Sequence, residues 1–469
     1  MRSPPLGLPP DTLSLLHHLH DALRPAWAAL PVSSPLEGAG PQEGGQVPDY
    51  RAAAGPPNLH GRRAELIVEA SDVPALERAV CSDADAVVID FDDTFTPTRR
   101  NVQAAYDALP SLGEAGTALL VRPRALYAAE PHLDFGGPAI AALCDLGVAL
   151  TALKRPSPHV YIPKLETVQE AQFWQEALTL AECHLGLPVN SVQVCLQIET
   201  FSGLLHADAL LHTLHRRAYG LNAGRWDYVF SLVKHLGGAH PHPVPPRRDL
   251  TMDVDAMRAY AGELVRVCRA RGAQAIGGTA SFAPNPADPQ PALDAVLADK
   301  KREAAQGFTA AWAGLPALLD AVRRGFDGAG EVQVADETQD LYARLTDLPT
   351  PAHIAVAEVQ DAISLALDVF GAWYAGQGVV TRQGRLEDTA TAELARASLW
   401  QWVRVGAALD DGTRLTPARY LSERQAIHPA DDAAARLLDT LVLSPACPDY
   451  FPRVAQHLVG QHLAGGDPR

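Results

Sequence analysis

The sequence predicts an α/β fold: a (β/α)8 barrel with an N-terminal helical segment and a C-terminal helical domain. Three observations predict it. Between residue 63 and about residue 328, eight short apolar runs alternate with amphipathic stretches over roughly 250 residues, the count and length of such a barrel. Several of the runs end in charged residues, which suits strands whose C-terminal ends converge on one rim. After Gly330 the pattern turns to long helical periodicity with few β-branched residues.

In chain order, residues 1–60 read as a helical clasp and a linker. Leu13, Leu16, His17, His20 and Leu23 recur at helical spacing behind Asp11, a candidate N-cap. Residues 31–60 are rich in Pro, Gly and Ala and lack apolar periodicity. His17, His18 and His20 have no acidic or cysteine partner at ligand spacing, so they read as a solvated helix face. The barrel is expected over 61–335. Its strand candidates are Ala64–Val68, Ala86–Phe91, Ala118–Val121, Val160–Ile162, Val192–Ile198, Tyr228–Leu232, Ala273–Ile276 and Phe308–Trp312. Helices are expected over Val168–Leu180, Leu204–His215, Met257–Arg271 and Pro291–Ala305. No GxGxxG or P-loop follows the first run, which argues against an open doubly wound sheet. The third unit, 336–469, is expected to hold helices over Thr338–Leu345, Ile354–Tyr374, Thr389–Val405 and Ala433–Leu443.

Composition narrows the function. The 469 residues carry 39 Lys and Arg against 55 Asp and Glu, a formal net charge of −16. That balance argues against nucleic acid or an anionic membrane as partner, and leaves room for a local basic pocket around a small anion. Six scattered cysteines with no CxxC pair fit buried free thiols in a reducing compartment. The N-terminus shows no basic stretch followed by an apolar run, and nowhere do about 18 apolar residues run unbroken, so a cytoplasmic location is expected.

The chemistry-bearing residues sit at the ends of the runs: Asp90, Asp92 and Asp93 after the second, Arg122 and Arg124 after the third, Lys164 after the fourth, Glu199 after the fifth, and Asp227 opening the sixth. On one rim they would face one pocket. Asp90-Phe91-Asp92-Asp93-Thr94 also matches, formally, the DxDxT motif of haloacid-dehalogenase-type phosphatases, in which the first Asp is phosphorylated beside Mg2+. That motif normally opens its domain, whereas here it follows the second run of a longer series. Glu199 and Asp227 could supply part of an octahedral Mg2+ site, and the amides around Gly224, Arg225 and Trp226 could hold a small carboxylate beside it. Glu387-Asp388-Thr389 reads by itself as a helix cap. Trp400 and Trp402, two apart on a helix, read as interface packing.

At these residues the chain resembles the malate synthase family, most closely its shorter A-type form. The resemblance rests on GLNAGRWDYVFS (220–231), LQIET (196–200), DLTMDVDAMRAY (249–260), RGAQAIGG (271–278) and LEDTATAELARASLWQW (386–402), with weaker matches at DFDDTFTPT (90–98), VRPR (121–124) and YIPKLET (161–167). It implies an acyltransferase of the glyoxylate cycle that condenses acetyl-CoA with glyoxylate and hydrolyses the thioester to give malate and CoA. It implies Mg2+, or Mn2+, held by Glu199 and Asp227; Asp388 as the base that deprotonates the acetyl methyl group; and Arg124 at the developing enolate oxygen. Gly224, Arg225, Trp226, Asp92, Asp93, Arg122 and Lys164 are expected to bind substrate. The partners implied are glyoxylate and acetyl-CoA, without nucleic acid or membrane, in a monomer or small homo-oligomer. The chain departs from the family pattern at Ala125-Leu126-Tyr127, Thr279-Ala280-Ser281 and 311–316, on the expected acyl-donor side. The alternative is an acyl-CoA lyase similar to citrate lyase β-subunits and malyl-CoA lyases; those chains lack the large helical domain that carries Asp388.

Overall fold

The computed structural model describes residues 6–31, 47–153, 159–237, 240–328 and 340–455. Eight parallel strands close into a barrel: β1 (Ala64–Glu69), β2 (Ala86–Asp90), β3 (Ala118–Arg122), β4 (His159–Ile162), β5 (Gln193–Ile198), β6 (Ala218–Ala223), β7 (Gln274–Ala280) and β8 (Ala310–Ala313). Each strand pairs with the next in sequence, and β8 closes on β1 through Ala64 opposite Ala311. Helices over Val73–Val80, Arg99–Leu112, Ala141–Leu153, Val168–Leu185, Asp255–Arg271 and Gln290–Gln306 surround it.

Strand alternation fills the interior. Ile67, Ala86, Val88, Ala118, Leu120, Tyr161, Cys195, Tyr219, Ile276, Ala310 and Trp312 form one inner cluster, distinct from the larger core between strands and helices. Below it a buried Arg62–Glu65 ion pair closes the N-terminal end, with Tyr161 and the Trp312 indole donating to Glu65 over 2.6 and 2.9 Å. The opposite, C-terminal rim remains for chemistry.

One strand expectation is corrected. Tyr228–Leu232 lies inside a helix, Arg225–Gly237, and the sixth strand is Ala218–Ala223. Tyr228, Val229, Phe230, Leu232 and Val233 are all buried, so this helix is apolar on most sides and its run imitates that of a central strand. Asp227 therefore stands in the first turn of a helix.

The helix over Pro10–Ala28 begins one residue before the expected cap, with Asp11 in its first turn. His20 is not solvated: it is fully buried, its Nε2 accepts the Ile140 amide at 2.9 Å, and its Nδ1 lies 2.7 Å from the Leu16 carbonyl. Burial lowers its pKa to about 4. Cys144, Cys195, Cys268 and Cys447 are buried and Cys81 and Cys183 exposed, all as free thiols.

Beyond the barrel lie helices over Leu341–Thr346, Val356–Tyr374, Thr389–Val405, Pro417–Ile427 and Ala433–Val442. The start of the expected helix at Thr338, half of the expected linker (32–46), and the expected boundary at 335–336 lie outside the described residues. Beyond the barrel, the Pro417–Ile427 helix and a hairpin of Val380–Arg382 with Arg385–Glu387 add to the expected helices. Gln383 and Gly384, at φ 49° and 73°, make the tight turn that matches strand twist. Leu386 donates to the Ser281 carbonyl at 2.7 Å and Ala283 to that of Gly384 at 2.9 Å, which clips the hairpin onto the rim beyond β7. The Thr389–Val405 helix packs on Arg225–Gly237, where a Cβ on Gly237 would stand 2.3 Å from the Trp400 ring. The Trp400 and Trp402 indoles donate to Ser444 and Val244 carbonyls, in keeping with interface packing. Among the described residues no helix is long and apolar enough to cross a membrane.

Candidate active site

Two segments beyond strand ends and one helix start bring three carboxylates together on the rim. Asp93 follows β2, Glu199 follows β5 and Asp227 opens the helix after β6. One oxygen from each lies within 4.8 Å of the others, and all three side chains are buried. Their closeness depends on Gly224, where a Cβ would stand 2.3 Å from Glu199 Oε2.

The cluster is electrostatically incomplete. The Lys164 ammonium reaches Asp92 and Asp93 at 2.7 Å each, but stands 3.4 Å from Asp227 and 3.8 Å from Glu199. Glu199 Oε2 and Asp227 Oδ1 are buried without a hydrogen-bond partner. Burial outweighs the nearby cations at Glu199, raising its pKa to about 8; burial and the charge of Asp93 push Asp227 well above the carboxylate range. Asp93 is held low by Lys164 and Arg122 against its own burial. Unpartnered carboxylate oxygens with no thiolate or imidazole among them are the donor set of a hard divalent cation such as Mg2+ or Mn2+. The residues present therefore fit a metal ion.

Above the cluster opens a cavity of about 650 Å3, lined by Asp93, Arg122, Glu199, Gly224, Arg225, Trp226, Asp227 and, from the C-terminal hairpin and helix cap, Leu386 and Asp388. Asp388 is the N-cap of the Thr389–Val405 helix: its carboxylate accepts the Thr391 amide at 3.3 Å, while the Thr391 hydroxyl oxygen accepts the Asp388 amide at 3.0 Å. Burial, then the charge of Asp93, raises its pKa to about 7. The side chain thus caps a helix and faces the cavity at once.

The two arginines part company. Arg122 continues the inward phase of Ala118 and Leu120 and lines the cavity. It forks onto Asp90 at 2.5 and 2.6 Å, donates to Asp93 at 3.0 Å and Gln197 at 3.1 Å, and lies over Trp312. Four of its five N–H groups are thereby used, leaving one on Nη2. Arg124 lies past the strand and turns away, with Asp145 at 2.7 and 2.9 Å and Glu130 at 2.8 Å holding its fork, beside a separate 30 Å3 pocket. The expectation that Arg124 addresses the enolate oxygen is corrected: its guanidinium is committed to a buried structural network.

Other expected residues also move. Asp93 belongs to the carboxylate cluster, and Asp92 is turned to Lys164 and to the Ala125 amide at 3.0 Å, so neither Asp92 nor Lys164 lines the main cavity as a substrate binder. The phosphatase reading falls, because both oxygens of Asp90 are bound by Arg122 and the fold is a closed barrel. Asp410 accepts the Val356 amide at the start of the Val356–Tyr374 helix, and Asp411 accepts the Thr413 amide in a local turn. Arg225, its pKa lowered to about 10 by burial, stacks 3.8 Å from the Trp226 ring centroid, and Arg247 covers the same ring at 4.5 Å. Arg247 is absent from the residues that the sequence marks as candidates; the Pro-rich stretch HPHPVPP (240–246) directly before it is the available signal.

A (β/α)8 barrel with a buried carboxylate cluster on its C-terminal rim, overhung by a helical domain that adds another carboxyl, defines a class of barrel enzyme whose rim could hold a metal ion. The family model for the malate synthase TIM barrel domain matches residues 118–347, and that for the malate synthase C-terminal domain matches 353–428. The chain is 34% identical over 409 residues to malate synthase of Streptomyces clavuligerus, covering 79% of this chain and 75% of that one. It is 30% identical over 453 residues to malate synthase A of Escherichia coli, covering 86% and 84%. The chain belongs to the malate synthase family. A malate synthase pyruvate/acetyl-CoA ternary complex from Haloferax volcanii shares the fold, with a TM-score of 0.52 and 15% identity over 73% of this chain and 91% of that one.

Proposed function

We propose that this acyltransferase condenses acetyl-CoA with glyoxylate and releases malate and CoA, with Asp93, Glu199 and Asp227 holding Mg2+, Asp388 acting as base and Arg122 addressing the thioester oxygen. The observation that supports it most is that Asp388 and Arg122 line the same cavity as the carboxylate cluster. When bound, the ion supplies Lewis-acid polarisation of the 2-oxo acid's carbonyl. Asp388 takes a proton from the acetyl methyl group; a pKa raised by burial makes it a stronger base than a solvated Asp. The spare Nη2–H of Arg122 meets the charge that develops on the thioester oxygen, and Asp90, Asp93 and Gln197 fix the guanidinium so that it does not reorganise. Arg225 and Trp226 line the cavity beside the cluster, where substrate anions are received. Incubation with Mg2+, acetyl-CoA and glyoxylate tests the reading: free thiol and malate should appear together. Consumption of acetyl-CoA with the thioester retained in a malyl-CoA product, and no free thiol, would favour a lyase working in reverse.

A further inference from the structure

Several carboxyls on the cavity wall are not used by the roles above, Glu69, Asp72, Asp299 and Glu303 among them, and Glu69 stands apart from the rest. Glu69 ends β1 and continues the inward phase of Glu65 and Ile67, so it stands in the uppermost inward layer of the barrel. Its register partner is Asp90 on β2, and the partner of Asp90 is Arg122 on β3. Glu69, Asp90 and Arg122 thus occupy one layer on three consecutive strands, and both Glu69 and Arg122 line the cavity.

Glu69 differs from its neighbours in how it is held. Asp90 is bound by a guanidinium fork, and Glu303 by Lys300 and the Gly278 amide. Glu69 accepts from the Ser71 hydroxyl, and among the described residues no cation pairs with it. It is half-buried, open to the cavity. Burial, with Asp72 and Asp90 nearby, raises its pKa to about 7, where a carboxylate both takes and returns a proton.

The reaction needs such a group. Condensation draws a proton from the acetyl methyl group, the role given to Asp388; hydrolysis of the product thioester draws one from water attacking the carbonyl carbon, a different atom in a different place, which a carboxyl elsewhere on the cavity wall is placed to serve. We infer that Glu69 is the general base of the thioester-hydrolysis half-reaction, an inference that rests on the synthase reading above. Glu69 takes one proton from water as the oxygen bonds to the thioester carbonyl carbon, while Arg122 holds the resulting oxyanion. The tetrahedral adduct collapses with cleavage of the C–S bond, the proton on Glu69 passes to the departing thiolate, and the new carboxyl group loses its remaining proton to solvent. Water and thioester are consumed, thiol and carboxylate are formed, and Glu69 is restored.

The test is Glu69→Gln, nearly isosteric and still able to accept from Ser71. Given Mg2+, acetyl-CoA and glyoxylate, it should consume acetyl-CoA, accumulate the malyl thioester, and release thiol about 100-fold or more slowly than wild type. Supplied malyl-CoA should be hydrolysed at a similarly reduced rate, with Glu69→Asp intermediate and melting temperatures unchanged. Hydrolysis of supplied malyl-CoA by Glu69→Gln within a few-fold of wild type would overturn the inference, whatever the variant does in condensation. Failure of the synthase reading would show differently, as wild-type protein that does not turn over acetyl-CoA and glyoxylate at all.

Discussion

The backbone amide of Thr389 donates to the carbonyl of Asp93 over 3.3 Å, so the residue after the proposed base is bonded to the main chain of a member of the carboxylate cluster proposed to hold the metal. The C-terminal helix and the barrel rim are therefore in register at the point where chemistry is proposed. A second tie is close by: the Asn101 side-chain amide donates to the Gly376 carbonyl at 2.8 Å. A Cβ on Gly378 would stand 1.7 Å from the Thr94 carbonyl oxygen, so only glycine fits this approach. Base and cluster are positioned by contacts between units that lie far apart in sequence.

Glu199→Gln or Asp227→Asn should weaken Mg2+ or Mn2+ binding by at least about tenfold, because each removes an anionic oxygen that has no protein partner. Calorimetric titration of the pure protein measures this without turnover. Unchanged affinity in either variant would remove that residue from the cluster.

Gly224→Ala should act on the same site without touching a charge. Its Cβ would press on Glu199 Oε2 and Cβ, at 2.3 and 2.6 Å, and the ligand must shift. Metal affinity is expected to fall while the far-ultraviolet dichroism stays native; a variant with full affinity would show that the rim yields more easily than its packing indicates.

Arg122→Lys should lower kcat by about 100-fold, the scale of losing one oxyanion donor, since an ammonium cannot fork onto Asp90 and still present a fixed N–H. Arg124→Lys should chiefly lower stability, by disrupting its buried pairs with Asp145 and Glu130. Comparing kcat and melting temperature for the two variants separates these roles, and the reverse pattern would exchange them.

The choice between those arginines shows what the sequence could reveal. Arg122 is in phase with Ala118 and Leu120, and strand alternation alone marks it as inward; Arg124 follows Pro123, and its true partner, Asp145, lies on a helix more than twenty positions away. Asp92 and Asp93 are adjacent beyond a strand end, where period-2 reasoning no longer holds; both are held by Lys164, and only the fold shows that Asp93 joins the cluster while Asp92 turns to the Ala125 amide. The barrel itself was legible because strand count, spacing and charged ends agreed. Its sixth strand was not, because Ala218–Ala223 contains Gly220 and Asn222 and reads as weaker than the apolar helix behind it. The hairpin that delivers Asp388 is announced only by Gln383-Gly384, a quiet turn signal between short strands.

His20 predicts an acid sensitivity away from the site. Its folded pKa of about 4 lies below the ordinary 6.5, so the unfolded chain binds more protons between those values. The stability it preserves is complete above about pH 6.5 and is lost as pH falls towards 4, by up to about 3 kcal/mol. Urea unfolding at pH 7 and pH 5 should show the loss in wild type and a smaller loss in His20→Gln. Equal pH dependence in the two would place the sensitivity elsewhere.

The central claim is that a carboxyl delivered by the C-terminal domain deprotonates the acyl donor beside a metal site built by the barrel. Asp388→Asn can still cap its helix but cannot accept the proton. The direct measurement is hydrogen exchange in deuterated buffer, with Mg2+, acetyl-CoA and a 2-oxo acid that binds without condensing. Wild-type protein should carry solvent deuterium into the acetyl methyl group, and Asp388→Asn, folded and still binding metal, should not. Exchange by the variant at the wild-type rate would contradict the account.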